Sequence, residues 1–178
     1  MKCYLIRHGK TAANERHLYC GSTDLPLSSL GRRELEEISY FVQNVTFVTS
    51  GMRRTEQTLE LLFGNVPHRM DPRFREVDFG AFEMLDYETL KDRPDYQRWI
   101  AGDNERNVPP GGESGAEMTS RVIAAFQELR EDTVLVTHGG VIAALMAYLF
   151  PEEQKNRYQW QPKPGHGYLV ENGSYQIL

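Results

Sequence analysis

Cysteine is scarce in this sequence. The 178 residues include two cysteines, Cys3 and Cys20. No Cys-x-x-Cys pair occurs, and neither cysteine has a second cysteine or a histidine at a spacing typical of metal ligands. This scarcity excludes a disulfide framework and a metal site built on cysteine. We expect both thiols to be reduced, and we expect neither a metal ion nor a cofactor.

The sequence also lacks a long hydrophobic run and an excess of basic residues. No segment approaches the ~18 apolar residues of a membrane span, and the start, residues 1–8, lacks the apolar stretch and cleavage site of a signal peptide. We therefore expect a cytoplasmic protein without membrane contact, as a monomer or a homodimer. The formal net charge of −5 argues against nucleic-acid binding, which needs a basic face. An anionic ligand would have to be held by locally concentrated arginine and histidine.

The composition and the hydrophobic pattern predict one α/β domain over residues 1–178. The chain is 40% hydrophobic and 25% charged, which is ordinary for a globular protein. Short β-rich segments alternate with amphipathic ones, so we expect three α/β/α layers around a mostly parallel sheet, with a C-terminal hairpin turning at Asn172-Gly173. The predicted strands are residues 3–6, 45–48 and 133–136, the predicted helices are residues 31–43, 53–63, 113–130 and 139–150, and residues 101–112 are predicted to be a loop covering the substrate.

Two histidines follow predicted strands directly. Arg7 and His8 come after the first strand, and His138 comes after the strand at residues 133–136, just before the glycines that open a helix. The carboxyl ends of parallel strands are where α/β sheets bind ligands, and free amides at a helix start bind phosphate. A lone histidine at such a place is more often a satisfied structural residue or a helix cap. Two at equivalent strand ends favour a functional site.

A third strand end carries two arginines. Arg53 and Arg54 lie in the first turn of the predicted helix that follows residues 45–48. Cations are disfavoured at the positive end of a helix dipole, so their presence suggests a compensating anion. Arg53 could simply be solvated, whereas we expect Arg54 to be functional.

The combined motifs resemble the histidine phosphatase superfamily, which includes the phosphoglycerate mutases. The resemblance covers essentially the whole chain. Arg-His-Gly alone is a weak signal, but the combination is highly specific. It consists of Arg7-His8-Gly9, Gly21-x-x-Asp24-x-Pro26-Leu27-Ser28-x-x-Gly31, Ser50-x-x-x-Arg54-x-x-Gln57-Thr58, Glu76-x-x-Phe79-Gly80-x-x-Glu83, Pro110-Gly111-Gly112-Glu113-Ser114 and His138-Gly139.

The resemblance implies a metal-independent reaction through a phosphohistidine. By this similarity, His8 is the nucleophile and Glu76 protonates the leaving oxygen, although Glu76 could instead pair with a neighbouring arginine and Glu83 could be a secondary acid. Neutral imidazole is a usable nucleophile near neutral pH, and phosphoryl transfer mainly needs positioning and positive charge, which arginine supplies bidentately. The implied phosphate-binding residues are Arg7, Asn14, Arg54, His138 and Gly139, and the residues expected near the substrate are Thr11, Cys20, Gly21, Ser22 and Glu83.

The substrate is the least determined part of this interpretation. The pattern is closest to the α-ribazole phosphate phosphatases of cobalamin assembly, and the flat base of that substrate would need an aromatic wall. The aromatic residues in suitable segments are Tyr19, Phe82, Tyr87, Tyr96 and Trp99, which could equally pack the short helices. The departures from the family pattern are Glu34, Thr55 and Met84, outside the expected phosphoryl site.

Three alternatives remain open. A phosphoglycerate mutase shares the phosphohistidine but passes the phosphoryl group to a second hydroxyl, and a sugar-phosphate phosphatase shares much of the pattern. A non-catalytic module that binds a phosphorylated ligand would use the same fold without the reaction. In each case the expected partner is a small phosphorylated metabolite.

Overall fold

The apolar segments predicted as strands lie side by side in one six-stranded sheet. A computed structural model describes residues 1–103 and 105–178. The strands are β1 (Lys2–Arg7), β2 (Thr46–Thr49), β3 (Arg69–Met70), β4 (Thr133–Thr137), β5 (Gly167–Glu171) and β6 (Ser174–Ile177). Their order is β3-β2-β4-β1-β5-β6. Strands β3, β2, β4 and β1 are parallel, β5 is antiparallel to β1, and β6 is antiparallel to β5. The predicted mostly parallel sheet with a C-terminal hairpin is confirmed.

Helices cover both faces of this sheet. The helices are α1 (Ala12–Glu15), α2 (Ser29–Glu36), α3 (Arg53–Phe63), α4 (Tyr87–Leu90), α5 (Pro94–Ile100), α6 (Gly115–Gln127), α7 (Gly139–Leu149) and α8 (Arg157–Trp160), with 3-10 turns at Pro72–Phe74, Gly80–Phe82 and Pro151–Glu153. Alternate residues of a strand point to opposite faces. In β1, Leu5 packs in the cluster that contains α6 and α7, whereas Ile6 packs with Leu59 of α3. The sheet is therefore the middle of three layers.

The strand register brings three chain segments to one edge. Arg7 of β1 pairs with Thr137 of β4, and Val136 of β4 pairs with Thr49 of β2. The residue after each strand consequently lies at the same edge of the sheet. This register explains how residues far apart in the sequence form one site.

The predicted helix at residues 31–43 is wrong in both of its limits. Helix α2 covers Ser29–Glu36, because the side chain of Ser28 accepts the amide of Gly31 and caps its start. Beyond it, Tyr40 and Val42 pack against the α3 side of the sheet while Phe41 is 82% exposed. That alternation is typical of extended chain, and β-branched and aromatic residues disfavour continuing the helix.

The other predicted elements lie close to their expected positions. Helix α3 has the predicted bounds, α7 ends one residue earlier than predicted, and α6 is shorter because Ser114 and Glu117 form a capping box that fixes its start. The hairpin turns at Asn172 and Gly173, both with positive φ. Part of the predicted covering loop, residue 104, lies outside the described residues. The described rest of residues 101–112 contains neither helix nor strand.

No helix in the described ranges combines the length and apolarity needed to cross a membrane.

Candidate active site

His8 lies at the edge of the sheet immediately after β1. Its side chain is buried, and Nδ1 lies 2.7 Å from the carbonyl oxygen of Gly9. A carbonyl can only accept, so Nδ1 carries the proton and donates, which leaves the lone pair on Nε2. Burial, together with the positive charges of Arg54 and Arg7, holds the pKa of His8 well below its usual value. The imidazole is therefore neutral and has one ring nitrogen available as a nucleophile.

Arg7 places a positive charge against the start of α7. Its Nη1 donates to the carbonyl oxygen of Pro162 at 2.9 Å, and a Cβ on Gly139 would lie 3.2 Å from its Cζ. Its buried Nε has no hydrogen-bond partner among the described residues. Burial lowers the pKa of Arg7, while the nearby carboxylate of Glu76 raises it. An unpartnered buried donor of this kind is suited to binding an anion.

Arg54 is the most deeply buried arginine of the site. Its side chain is 1% exposed, although it begins in the first turn of α3. Nη1 and Nη2 donate to the carbonyl oxygens of Thr23 and Gly21 at 2.8 and 2.7 Å, and Nε donates to Nδ1 of His138 at 3.3 Å. Its neighbour Arg53 is exposed to solvent. Of the two arginines at the start of α3, Arg54 therefore points into the site and Arg53 does not.

His138 is oriented by a chain of hydroxyl groups. Its Nδ1 accepts from Arg54, so Nε2 carries the proton and donates to Oγ of Ser50 at 2.8 Å. Ser50 lies 3.1 Å from the hydroxyl of Thr55, which donates to the carbonyl oxygen of Met52. Burial and the charge of Arg54 hold the pKa of His138 well below its usual value. The rings of His8 and His138 are 5.1 Å apart, so the structure brings the two predicted histidines together.

Glu76 lies beside the first turn of α7. Its Oε2 accepts the amide of Gly140 at 2.8 Å, and its Oε1 accepts its neighbour's amide, that of Val77, at 3.1 Å. A Cβ on Gly140 would lie 2.3 Å from Oε1, so glycine is required for this approach. Among the described residues Glu76 forms no ion pair with Arg73 or Arg75, since Arg73 pairs with Asp71 and Glu128 and Nε of Arg75 donates to the carbonyl oxygen of Ser50.

Asn14 and Thr11 form a capping box at the start of α1. Oδ1 of Asn14 accepts the amide of Thr11 at 2.9 Å and faces its hydroxyl, and the Thr11 hydroxyl accepts the amide of Asn14. Thr11 is fully buried and Asn14 half-buried. The helix cap occupies Oδ1 of Asn14, so a phosphate contact would use the side-chain nitrogen Nδ2 and stays a prediction. A role of Thr11 near the substrate also stays a prediction.

The segment from Cys20 to Thr23 wraps around Arg54. Sγ of Cys20 contacts the carbonyl oxygen of Thr23 at 3.5 Å, and burial raises the pKa of this thiol. Gly21 packs so closely against Val77 that a Cβ would lie 1.6 Å from the Val77 carbonyl oxygen. Glu83, considered above as a secondary acid, accepts hydrogen bonds from the amides of this segment, including those of Gly21 and Ser22. Its oxygens are thus occupied by the backbone.

Three further residues support the site through hydrogen bonds that the sequence analysis did not predict. Ser50 orients His138, and the hydroxyl of Thr58 accepts the amide of Gly9 at 3.0 Å. Gln57 accepts the amide of Leu27 at 2.8 Å. All three belong to the motif around Arg54, so their spacing was visible. Their partners were not, because these are backbone and ring atoms from other parts of the chain.

A cavity of about 780 Å³ lies between α5, α6, α7 and α8. Tyr19, Phe79 and Trp99 form an aromatic wall. Gln161 connects the cavity to the predicted phosphate site, since its Oε1 would lie 3.2 Å from a Cβ on Gly139. Of the five aromatic residues predicted to form the wall, Tyr19 and Trp99 line the cavity. Phe82 and Tyr96 are buried behind it and pack the short helices, and Tyr87 is exposed elsewhere. A cavity of about 760 Å³ at the other end of the sheet contains none of the candidate site residues.

Among residues 1–103 and 105–178, no group of three or more His, Cys, Asp or Glu side chains is close enough to hold a metal ion.

Comparison with known proteins decides the family. Residues 3–175 match the model of the histidine phosphatase superfamily (branch 1). The chain belongs to this superfamily. An adenosylcobalamin/alpha-ribazole phosphatase of Escherichia coli is 30% identical over 84% of this chain and 79% of its own length. A probable phosphoglycerate mutase of Yersinia enterocolitica is 28% identical over 97% of this chain and 92% of its own.

Solved structures support the same fold. A protein of Escherichia coli proposed to be an alpha-ribazole-5′-P phosphatase superposes with a TM-score of 0.84 at 26% identity, covering 100% of this chain and 94% of its own. A phosphoglycerate mutase of Thermus thermophilus superposes with a TM-score of 0.78 at 30% identity, covering 100% and 96%. The similar proteins are therefore phosphatases and mutases. Their names differ in the substrate, which the family alone does not determine.

Proposed function

We propose that the protein is a phosphatase that hydrolyses a small phosphate monoester through a phosphohistidine on His8. The observation that carries this proposal is the convergence of one neutral, buried histidine with the buried guanidinium of Arg54, the half-buried guanidinium of Arg7 and a second histidine at a single sheet edge. Phosphoryl transfer depends on positioned positive charge around the equatorial oxygens, and this cluster supplies it.

In the proposed reaction, Nε2 of His8 attacks phosphorus and the bond to the ester oxygen breaks. Arg7 and Arg54 bind the phosphoryl oxygens, and Nε2–H of His138 turns from Ser50 to donate to one of them. The carboxyl of Glu76 gives its proton to the departing oxygen. The resulting Glu76 carboxylate then takes a proton from water, whose oxygen attacks the phosphohistidine. Phosphate leaves, and the neutral imidazole and protonated Glu76 are restored.

For the substrate, we propose α-ribazole 5′-phosphate. The support is the cavity of about 780 Å³, which adjoins the phosphate site at Gln161 and has Tyr19, Phe79 and Trp99 along one side. This volume and the aromatic wall suit a flat heteroaromatic base carried on ribose. The small residues of α7, Ala143 and Ala147, leave the opposite wall open. The Escherichia coli relative named as an adenosylcobalamin/alpha-ribazole phosphatase supports the same choice.

Phosphoglycerate mutase activity is the second candidate, because the relative of that name matches 97% of the chain. A mutase must keep water from the phosphohistidine until a second hydroxyl arrives. The aromatic wall of the cavity argues for a bulkier leaving group than glycerate, which has no aromatic surface.

A screen of monoesters tests both candidates. We expect kcat/KM for α-ribazole 5′-phosphate to exceed that for 3-phosphoglycerate, ribose 5-phosphate and nucleotides by at least about ten-fold, the factor that ~1.4 kcal/mol of transition-state binding gives. Ala147→Trp, which narrows the cavity at an exposed position, should raise KM for α-ribazole 5′-phosphate and leave inhibition by inorganic phosphate unchanged. Preference for a phosphoglycerate or a sugar phosphate, unaffected by Ala147→Trp, would refute the substrate assignment and leave the His8 reaction intact.

A further inference from the structure

The carboxylate of Glu83 is surrounded by hydrogen-bond donors from the backbone. Oε1 accepts the amides of Gly21 and Ser22, both at 2.9 Å, and that of Phe79 at 3.1 Å. Oε2 accepts the hydroxyl of Thr23 at 2.7 Å and, at longer distances, the amides of Gly21 and Thr23. Successive amides that converge on one carboxylate fix the conformation of the segment they come from.

The same segment turns its carbonyl groups toward Arg54. The carbonyl oxygens of Gly21 and Thr23 accept from the two terminal nitrogens of this arginine at 2.7 and 2.8 Å. Residues 21–23 therefore act as a bridge, with amides bound to Glu83 on one side and carbonyl oxygens bound to Arg54 on the other.

The bridge holds Arg54 without pairing its positive charge with a carboxylate. Within the described part of the chain, no carboxylate lies within ion-pair distance of this guanidinium. Neutral carbonyl groups satisfy two of its donors without cancelling its charge. A direct carboxylate partner would hold the side chain as firmly, but it would repel a phosphoryl dianion from the same place.

We propose that Glu83 is a positioning residue for phosphate binding, which acts on Arg54 through residues 21–23 and does not touch the substrate. This inference rests on the phosphate-binding role proposed for Arg54. It replaces the expectation that Glu83 lies next to the substrate as a second acid. The carboxylate that orders the site is thereby kept one peptide segment away from the proposed anion.

A double-mutant cycle tests the coupling. Vanadate binding to the full chain is measured by titration calorimetry for wild type, Glu83→Ala, Arg54→Ala and the double variant, and circular dichroism verifies that each is folded. Each single change should weaken vanadate binding by at least about ten-fold, and Glu83→Ala should cost less than about two-fold when Arg54 is already absent. A structural role of Glu83 elsewhere would instead give additive losses, which would overturn the proposal.

Two further variants keep the test decisive. Glu83→Gln retains the size and one acceptor oxygen, so it should bind vanadate with intermediate affinity, and it replaces Glu83→Ala in the cycle if the latter does not fold. Glu88→Gln removes an exposed carboxylate of α4 and should bind vanadate like wild type. If both Glu83 variants bind vanadate as tightly as the wild type, the role of Glu83 is overturned while the proposed phosphate site stands. Failure of the wild type to bind vanadate or inorganic phosphate would overturn the proposed phosphate site and, with it, this inference.

Discussion

Nδ1 of His8 donates to the carbonyl oxygen of Gly9 at 2.7 Å, so the tautomer of the proposed nucleophile is set by its own neighbour. This contact directs the lone pair to Nε2. The amide of the same Gly9 is held in turn by the hydroxyl of Thr58, whose proton goes to the carbonyl oxygen of Arg54. The proposed nucleophile and, through Thr58, the backbone of Arg54 are thus both linked to Gly9.

Replacing Glu76 should separate substrates by their leaving groups. Glu76→Gln removes the proton donor, so kcat for an alkyl phosphate such as ribose 5-phosphate should fall by about 10²–10³. Nitrophenyl phosphate, whose departing oxygen needs little protonation, should lose less than about ten-fold. Steady-state kinetics on both esters gives the comparison. Equal losses would indicate that Glu76 is structural.

Gly140→Ala should reproduce much of this effect without changing a titratable group. The new Cβ would lie 2.3 Å from Oε1 of Glu76, so the carboxyl must move away from the start of α7. We expect kcat for alkyl phosphates to fall by at least about ten-fold, since misplacement by ~1 Å is costly in catalysis. Vanadate affinity should stay near that of wild type. A loss of vanadate binding with unchanged selectivity for leaving groups would contradict this account of Gly140.

The buried histidines should make the fold less stable below neutral pH. His8 and His138 have pKa values well below 6.5 in the folded protein, whereas in the unfolded chain they titrate near that value. As the pH falls through about 6.5, the unfolded state takes up protons that the folded state does not, so the free energy of unfolding decreases. Each histidine can lower the free energy of unfolding by at most about 1.4 kcal/mol per pH unit. His68, whose pKa is raised by its hydrogen bonds to Val66 and Glu56, acts in the opposite direction, and the stability it contributes is lost as the pH rises.

Urea unfolding at about pH 7 and about pH 5.5 measures this linkage. The wild type should lose more stability over this interval than a variant carrying His8→Asn and His138→Asn. His68→Asn, as a control, should lose more than the wild type because the opposing contribution is gone. Identical pH slopes in all three proteins would contradict the depressed pKa values.

Chelation of metal ions should leave activity within about two-fold of its starting value, because Arg7 and Arg54 supply the positive charge that a metal would otherwise provide. Activity on nitrophenyl phosphate is measured before and after treatment with EDTA. Loss of activity that Mg²⁺ or Zn²⁺ restores would show that the arginines and histidines are not sufficient.

Much of the site could be predicted because strand ends are visible in the sequence. The apolar segments before His8 and His138 end abruptly, and parallel strands bring their carboxyl ends to one edge. The irregular chain was harder to predict. Helices α4, α5 and α8 have four to seven residues, too few for a hydrophobic period, and the chain after α2 alternates over only a few positions.

The support around the site was not predictable from residue types. Glu83 resembles a catalytic acid in the sequence, yet its oxygens are occupied by the amides of residues 21–23. Asn14 resembles a phosphate ligand, and its oxygen completes a helix cap. Both outcomes depend on backbone groups, whose directions no pattern of side chains specifies. The aromatic wall was partly predicted, since Tyr19 and Trp99 line the cavity while Phe82 and Tyr96 support them from the core.

Trapping the phosphoenzyme tests the central claim most directly. The protein is mixed briefly with a ³²P-labelled monoester and quenched in alkali, and the label is followed through acid and base treatment. A phosphohistidine hydrolyses in acid and survives base, so we predict acid-labile, base-stable label in the wild type and none in His8→Ala. Full turnover by His8→Ala, or label that survives acid, would contradict the assignment of His8 as the nucleophile.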